Sequence, residues 1–308
     1  MLSRVAERMY WFGRYIERIE NMARLLSVNT DLMLDLPGVR YIWHSLISIT
    51  GYEEHFFNRF SLPEERNVIK FLLMDEHCSI MAAVRMAREN ARTTRDIMPR
   101  ETWIKTNKLY LHLETNIEKA IKRDHRHEML SDIINACQEL HGYLASCLSV
   151  NESHHFMQIG TNLERADMTT RILDVACVNL LNTERPEIRE YESILWVNVL
   201  MSLTAYQMYR QHVDDSINGE DVAEFLLKDE KFPRAVAHCL ADIRQSFSGL
   251  PNPEAPLRAV NRASRGIRQA NVASLLASAS LHDYIDDVQA DLGFVHVETR
   301  TAWFSLTS

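Results

Sequence analysis

The residues best suited to chemistry are charged pairs that recur in two stretches of the chain. Segment 13–28 reads GRYIERIENMARLLSV and segment 160–175 reads GTNLERADMTTRILDV, and both fit the pattern G-x3-E-R-x-[ED]-x3-R. At about 100° per residue, Gly13, Glu17, Glu20 and Arg24 fall within a strip of roughly 60° beside an apolar stripe, as do Gly160, Glu164, Asp167 and Arg171. Two readings lead, with a metal site as a third. The first is an intrahelical ladder, with Glu20–Arg24 and Asp167–Arg171 as i,i+4 pairs and Glu17 and Glu164 bonding a neighbouring helix. The second has both strips converging on a polar cleft that holds a ligand or a partner segment. Gly13 and Gly160 leave the backbone open to close approach in either case.

A second charged stripe has no counterpart elsewhere. Arg85, Arg88, Arg92 and Arg95 share one helical face, with Glu89 and Asn90 between them. Four guanidiniums on one face need something negative opposite them: water and counterions, the acidic strips, or an anionic substrate group, for which Arg offers paired donors. The corresponding positions of the second half, Cys239, Asp242, Ser246 and Gly249, lack arginine, so the halves are not equivalent. Arg258, Arg262, Arg265 and Arg268 form another basic face. The net charge of −8 and the lack of an accompanying motif argue against nucleic acid as partner. His125-Arg126-His127-Glu128 reads as a polar turn. Glu152 and His155 make one E-x-x-H, whereas a carboxylate-bridged di-metal bundle uses two. No metal ligand set is assigned, no cofactor is expected, and no nucleophile has a named base.

The elements that position these residues are helices. Leu2, Val5, Met9, Phe12, Ile16, Ile19, Ala23 and Leu26 follow 3-4 spacing, which predicts a first helix to about Leu34, stopped by Pro37-Gly38. Further helices are expected at 39–60, 64–73, 78–98, 100–122, 127–149, 153–182, 187–217, 220–228, 233–248 and 255–292. Only Val295–Thr301 alternates like a strand and reads as a docking tail or isolated extension. Nine Gly and 8 Pro in 308 residues are about half the usual share. The fold class is therefore all-α.

Six of the sixteen aligned positions in the two segments are identical, and FLL-x-DE recurs at 71–76 and 225–230. This suggests an internal duplication: one domain over 1–308 made of pseudo-repeats 1–150 and 151–308 around a pseudo-two-fold axis. The five cysteines (78, 137, 147, 177 and 239) include no CxxC and fall in helical, mostly apolar contexts, as buried thiols of a reducing compartment would. Charges interrupt the N-terminal stretch, and the longest uncharged run, Ser193–Tyr209, carries Asn198, Ser202, Thr204 and Gln207. Neither a signal peptide nor a membrane span is expected, and the cytoplasm is the expected location.

The opening MLSRVAERMYWFGRYIERIENMARLL, the RENAR at 88–92, and LERADMTTRILDV at 163–175 resemble the bacterial alpha-E family, and FLL-x-D at 71–75 and 225–229 extends the likeness over the whole chain. Members of that family are all-helical. They occur alone or fused behind a circularly permuted ATP-grasp protein, beside transglutaminase-like peptidases. The resemblance carries the family's glutamate–arginine signature onto Arg14, Glu17, Arg18, Glu20, Asn21 and Arg24. It does the same for Arg88, Glu89, Asn90 and Arg92, and for Glu164, Arg165, Asp167 and Arg171. Thr161 and Asn162 depart from it, lacking the charge and ring found at Arg14 and Tyr15. What the resemblance implies is a role in a system that makes or processes amide-linked peptides, and the first reading is a non-catalytic accessory or substrate-binding component of an ATP-grasp amide or peptide ligase system, with a Glu/Arg-lined cleft. Its partners would be that ligase, a transglutaminase-like peptidase and a peptide or amino-acid-like substrate. The alternative is a stand-alone enzyme of amide chemistry with Glu17 or Glu164 as general base.

Overall fold

A computed structural model of the chain describes residues 3–35, 41–180, 191–213 and 217–305. Every regular element among the described residues is helical, and no helix is long and apolar enough to cross a membrane. The chain divides into two compact units, Met1–Thr161 and Asn162–Ser308.

The first unit contains α1 (Ser3–Asp35), α2 (Tyr41–Thr50), α3 (Glu53–Phe57), α4 (Glu65–Met74), α5 (Ile80–Thr93), α6 (Arg100–Asn116), a 3-10 turn (Ile117–Ile121), α7 (Arg123–Cys147) and the start of α8 (Glu152–Leu180). Met9, Phe12, Ile16, Ile19, Ala23 and Leu26 of α1 are all buried, as their spacing requires, and α1 packs on both α5 and α7. On α5, Ala83, Ala87 and Ala91 are buried. Such small side chains allow close helix packing. Ser79 caps α5 by accepting from the Ala82 N–H at 3.1 Å.

In the second unit, α8 is followed by α9 (Glu192–Ser202), α10 (Tyr206–His212), α11 (Gly219–Lys228), α12 (Val236–Ser248), α13 (Glu254–Gln269), α14 (Val272–Ala277) and α15 (Leu281–Trp303). Here α13 packs against α12 and α15.

Several expectations change. The stretch 295–301 is not strand-like: it forms the last turns of α15, with Val295 and Thr299 fully buried and Val297 exposed. The 3-4 series Ile285, Val288, Leu292, Val295 and Thr299 outweighs seven residues of alternation, because extending a helix adds a hydrogen bond per residue without a new nucleus. The long helix expected at 255–292 breaks twice. Asn271 caps α14, and Ala279 takes a left-handed φ of 53° ahead of α15. The uncharged run Ser193–Tyr209 breaks between α9 and α10, where Thr204 has φ 53°. His125-Arg126-His127 is not a turn but the first turns of α7. There Arg126 is buried, donating to the carbonyls of Ala120 and Ile121 at 3.1 and 2.9 Å and to Glu65 at 2.8 Å. Cys147 is exposed, and Cys78 lies in the α4–α5 turn rather than a helix. Pro37-Gly38 and the start of the helix expected at 187–217 lie outside the described residues.

Candidate functional site

On α1 the charged strip is buried at the motif acids and reaches solvent at Arg24. Glu17, Glu20 and Asn21 have 0%, 3% and 2% exposure, whereas the Arg24 side chain retains 14%. Arg24 Nη2 donates to Glu20 Oε1 at 2.8 Å, the expected i,i+4 rung. The other Glu20 oxygen lies 3.4 Å from His141 Nδ1 on α7. Cys137, one turn before His141, is buried against the same acids. Burial, reinforced by the charges of Glu20 and Glu17, holds its thiol well above the usual value. Outside the strip, Arg14 donates to the Tyr10 hydroxyl at 3.2 Å and lies 5.4 Å from the Trp11 ring centre, and Arg18 lies 5.7 Å from that of Tyr15.

On the part of α8 in the second unit, Glu164 is buried, Arg165 is half-buried, and Arg171 Nε donates to Asp167 Oδ2 at 3.0 Å. One turn on, Asp174 bonds His282 Nδ1 of α15 at 2.6 Å. The hydrogen bond that His282 makes to Asp174 pushes the imidazole up, while burial pushes Asp174 itself up.

The arginine stripe of α5 is organised by α6. Arg88 Nε donates to Asn107 Oδ1 at 2.7 Å, and its guanidinium sits 4.5 Å from the Tyr110 ring centre and 5.5 Å from that of Trp103. Arg95 covers Trp103 at 5.0 Å and donates Nε to the Arg92 carbonyl at 2.9 Å. Arg92 forms a two-bond fork with Glu89, at 2.8 and 2.7 Å. That bond lowers the Glu89 carboxyl, with smaller contributions from Arg8 and Arg88. Asn90 is buried between these turns, and its side-chain nitrogen makes no hydrogen bond. Among the described residues, no carboxylate lies within ion-pair distance of Arg85, Arg88 or Arg95.

Chemically, this face sets guanidiniums beside aromatic rings, groups of the kind that suit an anion. Two aromatic rings and the bond from Nε to Asn107 restrict the Arg88 rotamers, and a guanidinium offers paired N–H donors of carboxylate-matching geometry. Arg88 therefore engages α6 and not the acids of α1. The sequence pointed to the arginines but not to Trp103, Asn107 and Tyr110. Their i, i+4, i+7 spacing on α6, matching the pitch of the stripe, was the available signal.

An all-helical domain with buried glutamates preceding arginines is the class these features define. Residues 1–304 match Alpha-E, described as a predicted alpha-helical domain with a conserved ER motif, and the chain belongs to that family. Glu17-Arg18 and Glu164-Arg165 are two such pairs here. An uncharacterised protein of Mycobacterium bovis is 25% identical over 93% of this chain, as are two uncharacterised proteins of Mycobacterium tuberculosis. The chain spans 36% of the length of these relatives. No solved structure matches it.

Proposed function

We propose that this protein is a binding component of an amide- or peptide-forming ATP-grasp system, and that it receives a carboxylate-bearing peptide or partner segment on the α5–α6 face. The observation that carries this reading is Arg88, clamped by Trp103, Tyr110 and Asn107 with no carboxylate on its outer fork. Five arginines (8, 85, 88, 92 and 95) surround or line the face against Glu89 and Glu114, which favours an anionic ligand. The aromatic rings offer apolar and cation–π contact to the rest of a peptide. The family resemblance supplies the ATP-grasp partner. The mycobacterial relatives, in which the matched region is about a third of a longer chain, fit a domain that works beside other modules.

The test is titration of the purified protein with a glutamate-rich peptide, paired with co-purification of a tagged copy from its own cells with and without ATP. Saturable, salt-sensitive peptide binding and recovery of an ATP-grasp protein support the proposal. Both should weaken in Arg88→Ala while the melting temperature holds. Retention of both in Arg88→Ala would remove Arg88 from the site.

A further inference from the structure

We infer that the α4–α5 turn is a binding site for a soft divalent metal ion such as zinc, with His55 Nε2, Asp75 Oδ1 and Cys78 Sγ as ligands. This is separate from the anion-binding reading of α5–α6. The three ligand atoms lie within 4.8 Å of one another. Cys78 Sγ is 3.1 Å from Asp75 Oδ1, and His55 Nε2 is 3.3 Å from the same oxygen. Around a tetrahedral zinc with bonds of about 2.0–2.3 Å, ligand atoms stand roughly 3.3–3.8 Å apart. A few tenths of an ångström of expansion would seat the ion.

The second observation is that Asp75 has too many donors. Its side chain is fully buried. Oδ1 faces the backbone N–H of His77 at 2.9 Å, the N–H of Cys78 at 3.2 Å, the Cys78 thiol at 3.1 Å and the His55 imidazole at 3.3 Å. Oδ2 takes Arg59 and the same imidazole nitrogen at 3.1 Å. Four contacts crowd an oxygen with two in-plane lone pairs. His55 sits nearly equidistant from both oxygens, beyond the roughly 2.7–2.9 Å of a charge-assisted bond. A cation between the imidazole, the sulfur and Oδ1 replaces two poor hydrogen bonds with three metal bonds. The thiol proton leaves to solvent, and the sulfur electron pair goes to the metal.

A matching turn elsewhere separates what the backbone needs from what is extra. Asp229, in the same FLL-x-D context at the end of α11, accepts from the N–H groups of Lys231 and Phe232 at 2.8 and 2.6 Å. It thus makes the same i+2 and i+3 bonds as Asp75, with lysine and phenylalanine where the first turn has His77 and Cys78. The turn forms without ligand-type side chains, so backbone geometry does not account for Asp75-x-His77-Cys78. His55 is held in place by the Phe71 ring, with centres 5.8 Å apart. The exposed His77 ring lies 5.8 Å from that of His55, near enough to supply a fourth ligand by a rotamer change. Thiolate, imidazole and carboxylate together select zinc over magnesium or calcium.

The test is titration of the purified full chain with cobalt(II). We expect one equivalent to give a near-ultraviolet thiolate-to-cobalt charge-transfer band with intense tetrahedral visible bands, both displaced by zinc. Cys78→Ser should abolish the charge-transfer band, and His55→Ala should weaken binding at least about tenfold. Cys147→Ser and His127→Ala should leave the spectrum unchanged. Zinc should raise the melting temperature of the wild type and not of Cys78→Ser. Absence of the charge-transfer band in the wild type, or its persistence in Cys78→Ser, would overturn the assignment. A variant that fails to fold is replaced by Cys78→Ala or His55→Gln, read by the same band.

Discussion

Gly13 and Gly160 meet at one helix crossing. A Cβ on Gly13 would strike the Met157 carbonyl oxygen and lie 2.8 Å from Thr161 Oγ1, and a Cβ on Gly160 would strike the Tyr10 carbonyl. The nearest obstacles are backbone atoms of the opposite helix, which cannot move aside as a side-chain tip can. The glycines that begin the two E-R segments are therefore the contact by which α1 and the first turns of α8 touch.

Gly13→Ala and Gly160→Ala should each destabilise the protein by about 1–3 kcal/mol, the usual cost of overpacking, despite alanine's better helix propensity. Gly142→Ala on α7 is the control, since an added Cβ there meets nothing within 4 Å; it should be neutral or stabilising by up to about 1 kcal/mol. Urea midpoints decide. Equal midpoints for Gly13→Ala and wild type would mean that the crossing is loose.

Arg88→Lys keeps the charge but loses the planar fork and the aromatic stacking. Affinity for a glutamate-rich peptide should fall about tenfold, roughly 1.4 kcal/mol, with little change in stability. Tyr110→Leu should fall in the same direction by less, because cation–π contact at a part-exposed site is worth about 0.5–1 kcal/mol. Competition binding at two salt concentrations separates the fork from general electrostatic attraction.

Acid stability should depend on Glu65. Its carboxyl is lowered below the ordinary range chiefly by the hydrogen bond from Arg123, with Arg126 adding and burial opposing. A carboxyl whose folded pKa lies below its unfolded one stabilises the fold above the unfolded value, and that contribution is lost as pH falls through the folded value. Glu65→Gln should thus be less stable than wild type near neutral pH, and the gap should close below roughly pH 4. A gap that stays constant down the acid range would exclude ionisation as its source.

Thiol labelling should find Cys147 first. It is exposed, whereas Cys78, Cys137, Cys177 and Cys239 are buried. Burial pushes the Cys177 thiol up to about 12 and that of Cys137 well above its usual value. Thiolate is the reactive form, so maleimide on the native protein should modify Cys147 within minutes and the other four only on unfolding. Mass spectrometry of timed digests reads this directly, and early labelling of Cys137 would contradict its placement.

Much of the helical architecture was legible from neighbours in the chain. The α1 stripe, Glu20–Arg24 and Asp167–Arg171 each depend on residues within four positions of one another, and helix geometry fixes that spacing before any tertiary contact forms. The same locality explains the error at 295–301. Alternation over seven residues is a weak signal, and burial of Val295 and Thr299 with the rest of the α15 stripe decided the outcome. The partners of Arg88 were legible only as a face of α6, through the spacing of Trp103, Asn107 and Tyr110; that this face meets the arginines was not, because no spacing rule reaches across the intervening turn. Nor was the meeting of His55 with Asp75 and Cys78, which needs α3 folded back on the α4–α5 turn. The sequence by itself determined the all-helical class, most of the helices and which faces carry charge, because periodicity encodes them. Only the tertiary structure decided which charged groups are buried and which keep an open fork, because that depends on what distant segments place opposite them.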